Sequence, residues 1–212
     1  IFQNTQEIDE WRAAGNGILQ SNVQPGDVRF VDRNHDGQIN DKDKVNLGNG
    51  TPDFTLGLNL GFVYKGFDFS IVANGAFGQQ IVQSYRNHTR PTPNYTTAIL
   101  DRWHGEGTSN RIPRVTDSNI NYQFSDLFIQ NGDYLRLSTL TLGYDFAKLF
   151  KGKAVSQARL YFQVQNLFII TGYDGMDPEI GFGSSNNSWV SGLDYGYYPR
   201  PRTVLVGVNL KF

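Results

Sequence analysis

The chain lacks three features that would each define a class of protein. It has no cysteine among its 212 residues, which excludes a disulfide framework and thiol chemistry. Its formal net charge is −1, which argues against nucleic acid as a partner because such a partner usually meets a basic surface. No apolar run approaches the roughly 20 residues of a transmembrane helix, so any membrane crossing would have to be made by strands.

Sequence signatures of catalysis are also missing. The three histidines are His35, His88 and His104, and no two of them have the spacing of metal ligands. No nucleophile elbow, phosphate-binding loop or dinucleotide fingerprint occurs. Asp177 and Glu179 could be imagined as a glycosidase pair, but two carboxylates two residues apart are more typical of a solvated loop. We therefore expect no catalytic residues and no enzyme activity.

What the chain does contain favours strands. Hydrophobic residues make up 39% of it and aromatic residues 14%, and it has 23 glycines. Transmembrane β-barrels have this composition because each strand is apolar on one face only and aromatic side chains gather at the membrane interfaces. In residues 202–212 every second residue from Val204 to Phe212 is apolar. Such a strand, ending on an aromatic residue, is typical of the closing strand of an outer-membrane barrel.

Two-residue alternation predicts five strands in all. They cover residues 53–64, 67–78, 133–146, 157–168 and 202–212. The dipeptide Lys65-Gly66 between the first two predicts a tight hairpin turn. In the third strand the leucines up to Leu137 have the opposite parity to those from Leu140 onward. A β-bulge near Ser138, or an exit of the strand from the membrane there, would reconcile the two sets.

The connections alternate between short and long. Outer-membrane barrels have short periplasmic turns and long extracellular loops, so we expect residues 1–52 to form a further extracellular loop. Five strands do not close a barrel. We therefore expect residues 1–212 to be all-β and to supply the C-terminal five strands of a larger antiparallel transmembrane barrel whose N-terminal part lies upstream. The alternative is a soluble β-sandwich that buries its apolar faces between two sheets.

Residues 32–43 match the pattern of an EF-hand calcium loop at positions 1, 3, 5, 6 and 12. The predicted metal ligands are Asp32, Asn34, Asp36, Gln38 through its carbonyl, Asn40 through water, and Asp43. Oxygen ligands without sulfur favour Ca²⁺ over Zn²⁺. The last position is Asp rather than the usual Glu, which makes bidentate ligation less certain. The alternative is an Asx-rich turn that needs no metal. A bound ion would order the loop and would not take part in catalysis.

Aromatic and amide side chains are frequent in the predicted external loops. Aromatic rings stack on sugar faces and amides bond hydroxyl groups, so such loops suit a glycan. The candidate substrate-binding residues are Trp103, Trp189, Tyr195 and Tyr197. The alternative, which we favour for most of them, is that these rings form the interface girdle, pack the loops together or contact a partner protein.

Several motifs resemble the C-terminal region of the SusC-like TonB-dependent transporters of Bacteroidetes, and they follow one another in the same order as in that family. They are residues 26–41 (GDVRFVDRNHDGQIND), 47–59 (LGNGTPDFTLGLN), 134–144 (YLRLSTLTLGY), 164–168 (VQNLF), 172–179 (GYDGMDPE) and 194–203 (DYGYYPRPRT). Together they cover most of the chain from residue 26 onward.

The resemblance implies a 22-stranded barrel in the bacterial outer membrane. It implies an N-terminal plug domain and a TonB box, neither of which is in this sequence. It also implies a SusD-like surface lipoprotein that acts as a lid, and import of oligosaccharides or peptides powered through TonB. Two alternatives remain at this stage: a calcium-stabilised surface β-domain that binds a ligand without transport, and a segment of a passive porin.

Overall fold

The predicted strands are present in the computed structural model, which describes residues 1–84, 96–117, 119–149, 155–180 and 191–212. The described residues hold one α-helix and eight strands. These are α1 Thr5–Ala13, β1 Phe54–Tyr64, β2 Phe67–Phe77, β3 Gln80–Gln83, β4 Ile129–Asn131, β5 Tyr134–Asp145, β6 Gln157–Thr171, β7 Leu193–Asp194 and β8 Thr203–Lys211. No helix in the described part of the chain is long and apolar enough to cross a membrane.

The described residues form two compact units. One contains residues 1–47 with the described residues between 86 and 129, and is called the loop unit here. The other contains residues 48–84 with the described residues from 130 to 212, and is called the sheet unit. The loop unit joins two segments that the sequence predicted as separate external loops.

The sheet unit contains a five-stranded antiparallel sheet in the order β1-β2-β5-β6-β8. All four neighbouring pairs are antiparallel. The hairpin between β1 and β2 turns at Lys65 and Gly66, as predicted, with positive φ angles of 50° and 94°. Four of the strands lie within two residues of their predicted ends, and β6 runs three residues further, to Thr171.

Of the two alternatives at Ser138, the structure shows the bulge, in the middle of β5. The pairing of β5 with β2 shifts register between Val72 and Ala73, and its pairing with β6 shifts between Leu137 and Thr139. On the β6 side Gln165 pairs with Thr139 and Phe168 pairs with Leu137. The shift restores the two-residue period, so the leucines on both sides of Ser138 lie on one face.

That face of the sheet is apolar across all five strands. One continuous row follows the register from Leu60 through Ile71, Leu140 and Val164 to Val204. Large side chains on this face are exposed rather than packed against the rest of the chain: Leu60 is 53% exposed and Val206 is 70% exposed. The opposite face carries mainly polar and small residues, with larger exceptions that include Tyr161 and Leu205. A sheet with this division suits an apolar medium on one side and water on the other.

A second, smaller sheet of the sheet unit has the order β4-β3-β7. Strand β3 pairs in parallel with β7 through Val82 with Leu193 and Gln83 with Asp194. Ile81 is 1% exposed and forms part of the small buried core of this unit. The sequence analysis did not predict these three short strands.

The loop unit begins with helix α1. Asn4 caps the helix by accepting a hydrogen bond from the backbone N–H of Glu7 at 2.9 Å, and the Glu7 carboxylate accepts one from the N–H of Gln3 at 2.7 Å. The helix buries Ile8. The ring of Trp11 meets Phe2 edge to face, with centroids 6.3 Å apart.

Candidate functional site

An ion pair spans the polar face of the large sheet. Arg159 on β6 donates from Nε to Asp68 Oδ1 at 2.8 Å and from Nη2 to Asp68 Oδ2 at 2.5 Å, although β5 lies between their strands. The pair crosses β5 at Gly143, where an added Cβ would lie 2.3 Å from Asp68 Oδ1 and 2.7 Å from Arg159 Nε. The absence of a side chain at Gly143 is what lets the two charges meet.

The same face continues toward β8 with an aromatic ring. The guanidinium carbon of Arg159 lies 4.8 Å from the centroid of Tyr161. The ring of Tyr161 in turn covers Gly207 of β8. At the bulge, Ser138 donates a hydrogen bond to the side-chain oxygen of Asn74. This face is therefore a layer of charged, aromatic and polar groups.

A second ion cluster anchors the segment that follows β6. Arg136 of β5 is only 4% exposed and donates from Nη2 to Asp177 Oδ1 at 2.6 Å. Its Nε lies 2.9 Å from Glu179 Oε2. Glu179 Oε1 also pairs with Nη2 of Arg200 at 2.9 Å. The cluster ties β5 to residues on both sides of the long connection between β6 and β8.

This cluster corrects the prediction that Asp177 and Glu179 belong to a solvated loop, because Asp177 is only 6% exposed and both carboxylates pair with Arg136. Both carboxylates contact Arg136, and Asp177 Oδ1 also accepts a hydrogen bond from the Glu179 N–H at 2.9 Å. Carboxylates held in this way act as structural acceptors. The sequence offered no local signal for Arg136 as their partner, because it lies 41 residues from Asp177.

The candidate residues Tyr195 and Tyr197 lie together, just after β7. Asp194 accepts hydrogen bonds from the N–H of Gly196 at 2.7 Å, from the N–H of Tyr197 at 3.3 Å and from the hydroxyl of Tyr173 at 2.5 Å. The buried Asp194 thus anchors a short loop. The rings of Tyr195, Tyr197 and Tyr198 are 55%, 36% and 87% exposed, so they offer stacking surfaces on a fixed backbone.

The two tryptophan candidates differ from these tyrosines. Trp103 lies in the loop unit, where an added Cβ at Gly26 would be 2.4 Å from its Cε3 and 2.8 Å from Arg114 Cβ. This packing against Gly26 and Arg114 favours a role in holding the loop unit together. Trp189 lies outside the residues that the structure describes.

The predicted calcium loop lies in the loop unit, and the carboxylates at its first and last positions accept hydrogen bonds from backbone N–H groups. Asp32 is 1% exposed, and its Oδ2 accepts hydrogen bonds from the N–H groups of Gly17 and Gly37, both at 2.9 Å. Gly37 has a φ of 79°, the turn that the sixth position of such a loop requires. Oδ1 of Asp32 is buried and has no hydrogen-bond partner among the described residues.

The remaining predicted ligands line the rest of this loop. Asn34 Oδ1 accepts from the N–H of Asp36 at 3.1 Å, and Asp36 Oδ1 accepts from the N–H of Gln38 at 3.0 Å. Asn40 and Asp43 form a capping box around the 3₁₀ turn Asp41–Asp43. Within the described residues, no three His, Cys, Asp or Glu side chains are grouped so that they could hold a metal between them.

Asp43 closes the loop by joining its two ends. Its Oδ1 accepts from the N–H of Arg33 at 2.9 Å and its Oδ2 from the N–H of Asn40 at 2.8 Å. These backbone hydrogen bonds, that from Asn40 first and that from Arg33 second, hold the pKa of the Asp43 carboxyl below its usual value. The carboxylate is therefore ionised at neutral pH and lies beside the backbone of loop position 2.

Relatives of known name cover nearly the whole chain. TonB-dependent receptor P3 of Formosa agariphila is 34% identical over 209 residues, which are 93% of this chain and 20% of the relative. TonB-dependent receptor SusC of Bacteroides thetaiotaomicron is 32% identical over 197 residues, which are 92% of this chain and 18% of the relative. The chain therefore spans about a fifth of the length of these receptors. No family model matches it.

Solved structures share the fold. The RagAB peptide importer in its open-open state matches with a TM-score of 0.64 and 23% identity over 83% of this chain and 19% of that one. The RagAB peptide transporter matches with a TM-score of 0.62 and 24% identity over 78% of this chain and 18% of that one. These likenesses confirm the predicted fold class, a segment of an antiparallel β-barrel. The total of 22 strands remains a prediction.

The comparisons also confirm the resemblance that the sequence motifs predicted. The relatives are named as receptors rather than enzymes.

Proposed function

We propose that this chain, which is a segment related to the SusC-like TonB-dependent receptors, forms part of the wall and external loops of an outer-membrane nutrient importer. The observation that carries the proposal is the large sheet, whose one face is apolar and open across five strands while the other holds ion pairs. Lipid suits the first face and a water-filled or protein-filled interior suits the second. The sequence relatives, named TonB-dependent receptors, support energy coupling through TonB.

The substrate class we propose is an oligosaccharide or a peptide, taken up together with a SusD-like surface lipoprotein. The exposed rings of Tyr195 and Tyr197 support this, because aromatic faces stack on sugars and on peptide groups alike. The loop that carries them is fixed by Asp194, so the rings are presented with little loss of backbone entropy on binding.

Uptake by the bacterium that carries the gene tests the proposal. We expect deletion of the full-length gene to abolish growth on one oligosaccharide or peptide mixture, and deletion of the TonB gene to have the same effect. The full-length protein should fractionate with the outer membrane and co-purify with a surface lipoprotein. Uptake that persists without TonB would indicate a passive porin. A detergent-free, soluble protein would favour the calcium-stabilised binding domain instead.

The loop tyrosines can be tested in the same assay. We expect Tyr195→Ala together with Tyr197→Ala to lower uptake about tenfold or more, since stacking contributes about 1 kcal/mol per ring. Phe124→Ala is the matched control, because Phe124 is 66% exposed and lies in the loop unit. Unchanged uptake in the double variant, at equal amounts of folded protein, would remove these rings from the substrate path.

A further inference from the structure

We propose that residues 32–43 of the loop unit bind one Ca²⁺ ion, and that the ion fixes this loop against the segment that follows helix α1. The inference is independent of the transported substrate. It starts from a buried carboxylate that is only half satisfied. Asp32 is 1% exposed, and its Oδ1 has no hydrogen-bond partner among the described residues. A buried acceptor without a partner is costly, and a charged one more so, unless a cation completes it.

The place of Asp32 in the loop is the reason to assign a cation to its free oxygen. Asp32 occupies the first ligand position of the calcium-loop pattern, and its other oxygen accepts from Gly37, the sixth position. Oδ2 is therefore held at the turn of the loop, and Oδ1 is the free atom of the carboxylate. In calcium loops of this type the first position is a ligand, and the sixth is the glycine that makes the sharp turn.

The rest of the loop supplies oxygen atoms and negative charge. Asp36 and Asp43 supply two further carboxylates, and Asn34 and Asn40 supply amide oxygens. The three carboxylates are not grouped as a metal site in the described structure, so the proposal requires the ion to draw them together as it binds. Asp43 is held by the N–H groups of Arg33 and Asn40, which brings the twelfth position back to the start of the loop. Each of its oxygens retains a lone pair for a metal. A flexible set made only of oxygen atoms suits Ca²⁺ better than Mg²⁺ or Zn²⁺.

Asp32 also connects the loop to helix α1. Its Oδ2 accepts from the N–H of Gly17 at 2.9 Å, and the carbonyl of Gly17 accepts from Nε1 of Trp11 at 3.1 Å. An added Cβ at Gly17 would lie 2.7 Å from the backbone of Gln38, so the two segments are in direct contact. A cation on Asp32 would thus rigidify both the loop and the segment around Gly17.

Hydrogen exchange of the full-length receptor, purified in detergent, tests this inference. Calcium would be titrated through the micromolar to millimolar range that such loops cover. We expect peptides covering residues 30–44, and those containing Gly17, to become protected as calcium rises. Magnesium at the same concentrations should give little protection. Absence of calcium-dependent protection in the unmodified protein would overturn the proposal, and equal protection by magnesium would overturn the assignment to calcium.

Two variants separate ligation from general electrostatics. Asp36→Asn is nearly isosteric, lies at an exposed position and removes one charge from a predicted ligand. Asp41→Asn removes one charge from the same loop at a non-ligand position, where the side chain is 92% exposed and pairs with Lys44. We expect Asp36→Asn to raise the calcium concentration at half-protection at least about tenfold, and Asp41→Asn to change it by less than about twofold.

Equal shifts in the two variants would overturn the proposal, because simple attraction of cations to an acidic surface would then explain the binding. Asp32→Asn is the second ligand variant and should also raise the midpoint. Exchange in β5 and β6 serves as the folding check for every variant. Neither result depends on uptake, so failure here would leave the proposed import function untouched, and loss of import would leave the calcium site untouched.

Discussion

The sheet unit and the loop unit differ in which side chains they expose and which they bury. In the large sheet, big apolar side chains such as Leu60 and Val206 are open, and backbone ladders hold the strands together. In the loop unit, polar groups are buried instead. Asp27 is 2% exposed and accepts from Arg114 Nε at 2.7 Å and from Asn121 Nδ2 at 2.8 Å. Asn121 Oδ1 in turn accepts from Gln20 at 3.1 Å.

This difference in burial indicates which interactions stabilise each unit. A sheet that faces lipid gains little from burying its apolar side chains against its own chain, so its strands depend on complete hydrogen bonding. The loop unit has few large buried apolar residues among those described, chiefly Phe2 and Ile8. Its specificity comes from a satisfied network of charges and amides. Each of the following substitutions should therefore damage one unit much more than the other.

The largest effect is expected at the centre of the loop unit. Asp27→Asn keeps the shape but removes the charge that Arg114 meets, and places an amide where Asn121 and Arg114 already donate. Breaking a buried pair in this way costs about 3–5 kcal/mol. We expect faster hydrogen exchange and proteolysis in residues 20–29 and 96–117, with β5 and β6 unchanged. Asp9→Asn, on the exposed side of α1, is the control. Equal loss of protection in the strands would show that the two units do not have separate stabilities.

An intermediate effect is expected on the apolar face of the sheet. Leu60 and Val31 are 53% and 58% exposed, but we place Leu60 against lipid and Val31 in water. Leu60→Arg should therefore cost about 2–3 kcal/mol, whereas Val31→Arg should cost almost nothing. The thermal midpoint of the folded barrel in detergent, followed by its mobility on unheated gels, measures both. Equal tolerance of the two arginines would argue against a lipid-facing sheet.

The smallest effect is expected on the polar face. Gly143→Ala inserts a Cβ between Asp68 and Arg159, and overpacking of this kind costs about 1–2 kcal/mol. The same substitution should be nearly harmless when Asp68→Ala has already removed the pair, because Arg159 is then no longer held at Gly143 and can move away from the added Cβ. A double-mutant cycle on the thermal midpoint gives the coupling. Additive effects would show that the close approach at Gly143 does not limit stability.

The strands of the large sheet were predictable because their signal is local. A period of two places one residue in every pair on the apolar face, and this predicted the five ranges. The dipeptide Lys65-Gly66 predicted the turn, whereas the parity change near Ser138 left a bulge and an exit from the membrane as alternatives. Strand β6 continues to Thr171 beyond its predicted end because the chain crosses an irregular stretch, with Asn166 at a φ of 51°, and then resumes pairing at Phe168. Strands β3, β4 and β7 have only two to four residues each, which is too few to show an alternation of apolar and polar residues.

The loop unit and the ion clusters were not predictable in the same way. Asp27 and Arg114 are 87 residues apart, and Arg136 and Asp177 are 41 apart. No periodicity connects such pairs, since they form only once the strands between them have folded. The calcium-loop residues could be named from their spacing, yet the unpartnered Oδ1 of Asp32 becomes visible only in three dimensions. The composition of the loop pointed to Tyr195 and Tyr197 as candidate substrate-binding residues, which stays a prediction, but it gave no signal for their anchor, Asp194.

The contact between Asp27 and Arg114 has a consequence for exchanging parts between related receptors. The two side chains belong to segments separated by the whole first hairpin of the large sheet. A chimaera that takes residues 1–47 from one parent and residues 96–129 from another would pair buried polar residues that come from different receptors. We therefore expect a chimaera to fold when both segments come from the same parent and to misfold when they come from different parents. The two segments should thus be exchanged, and inherited, as one unit.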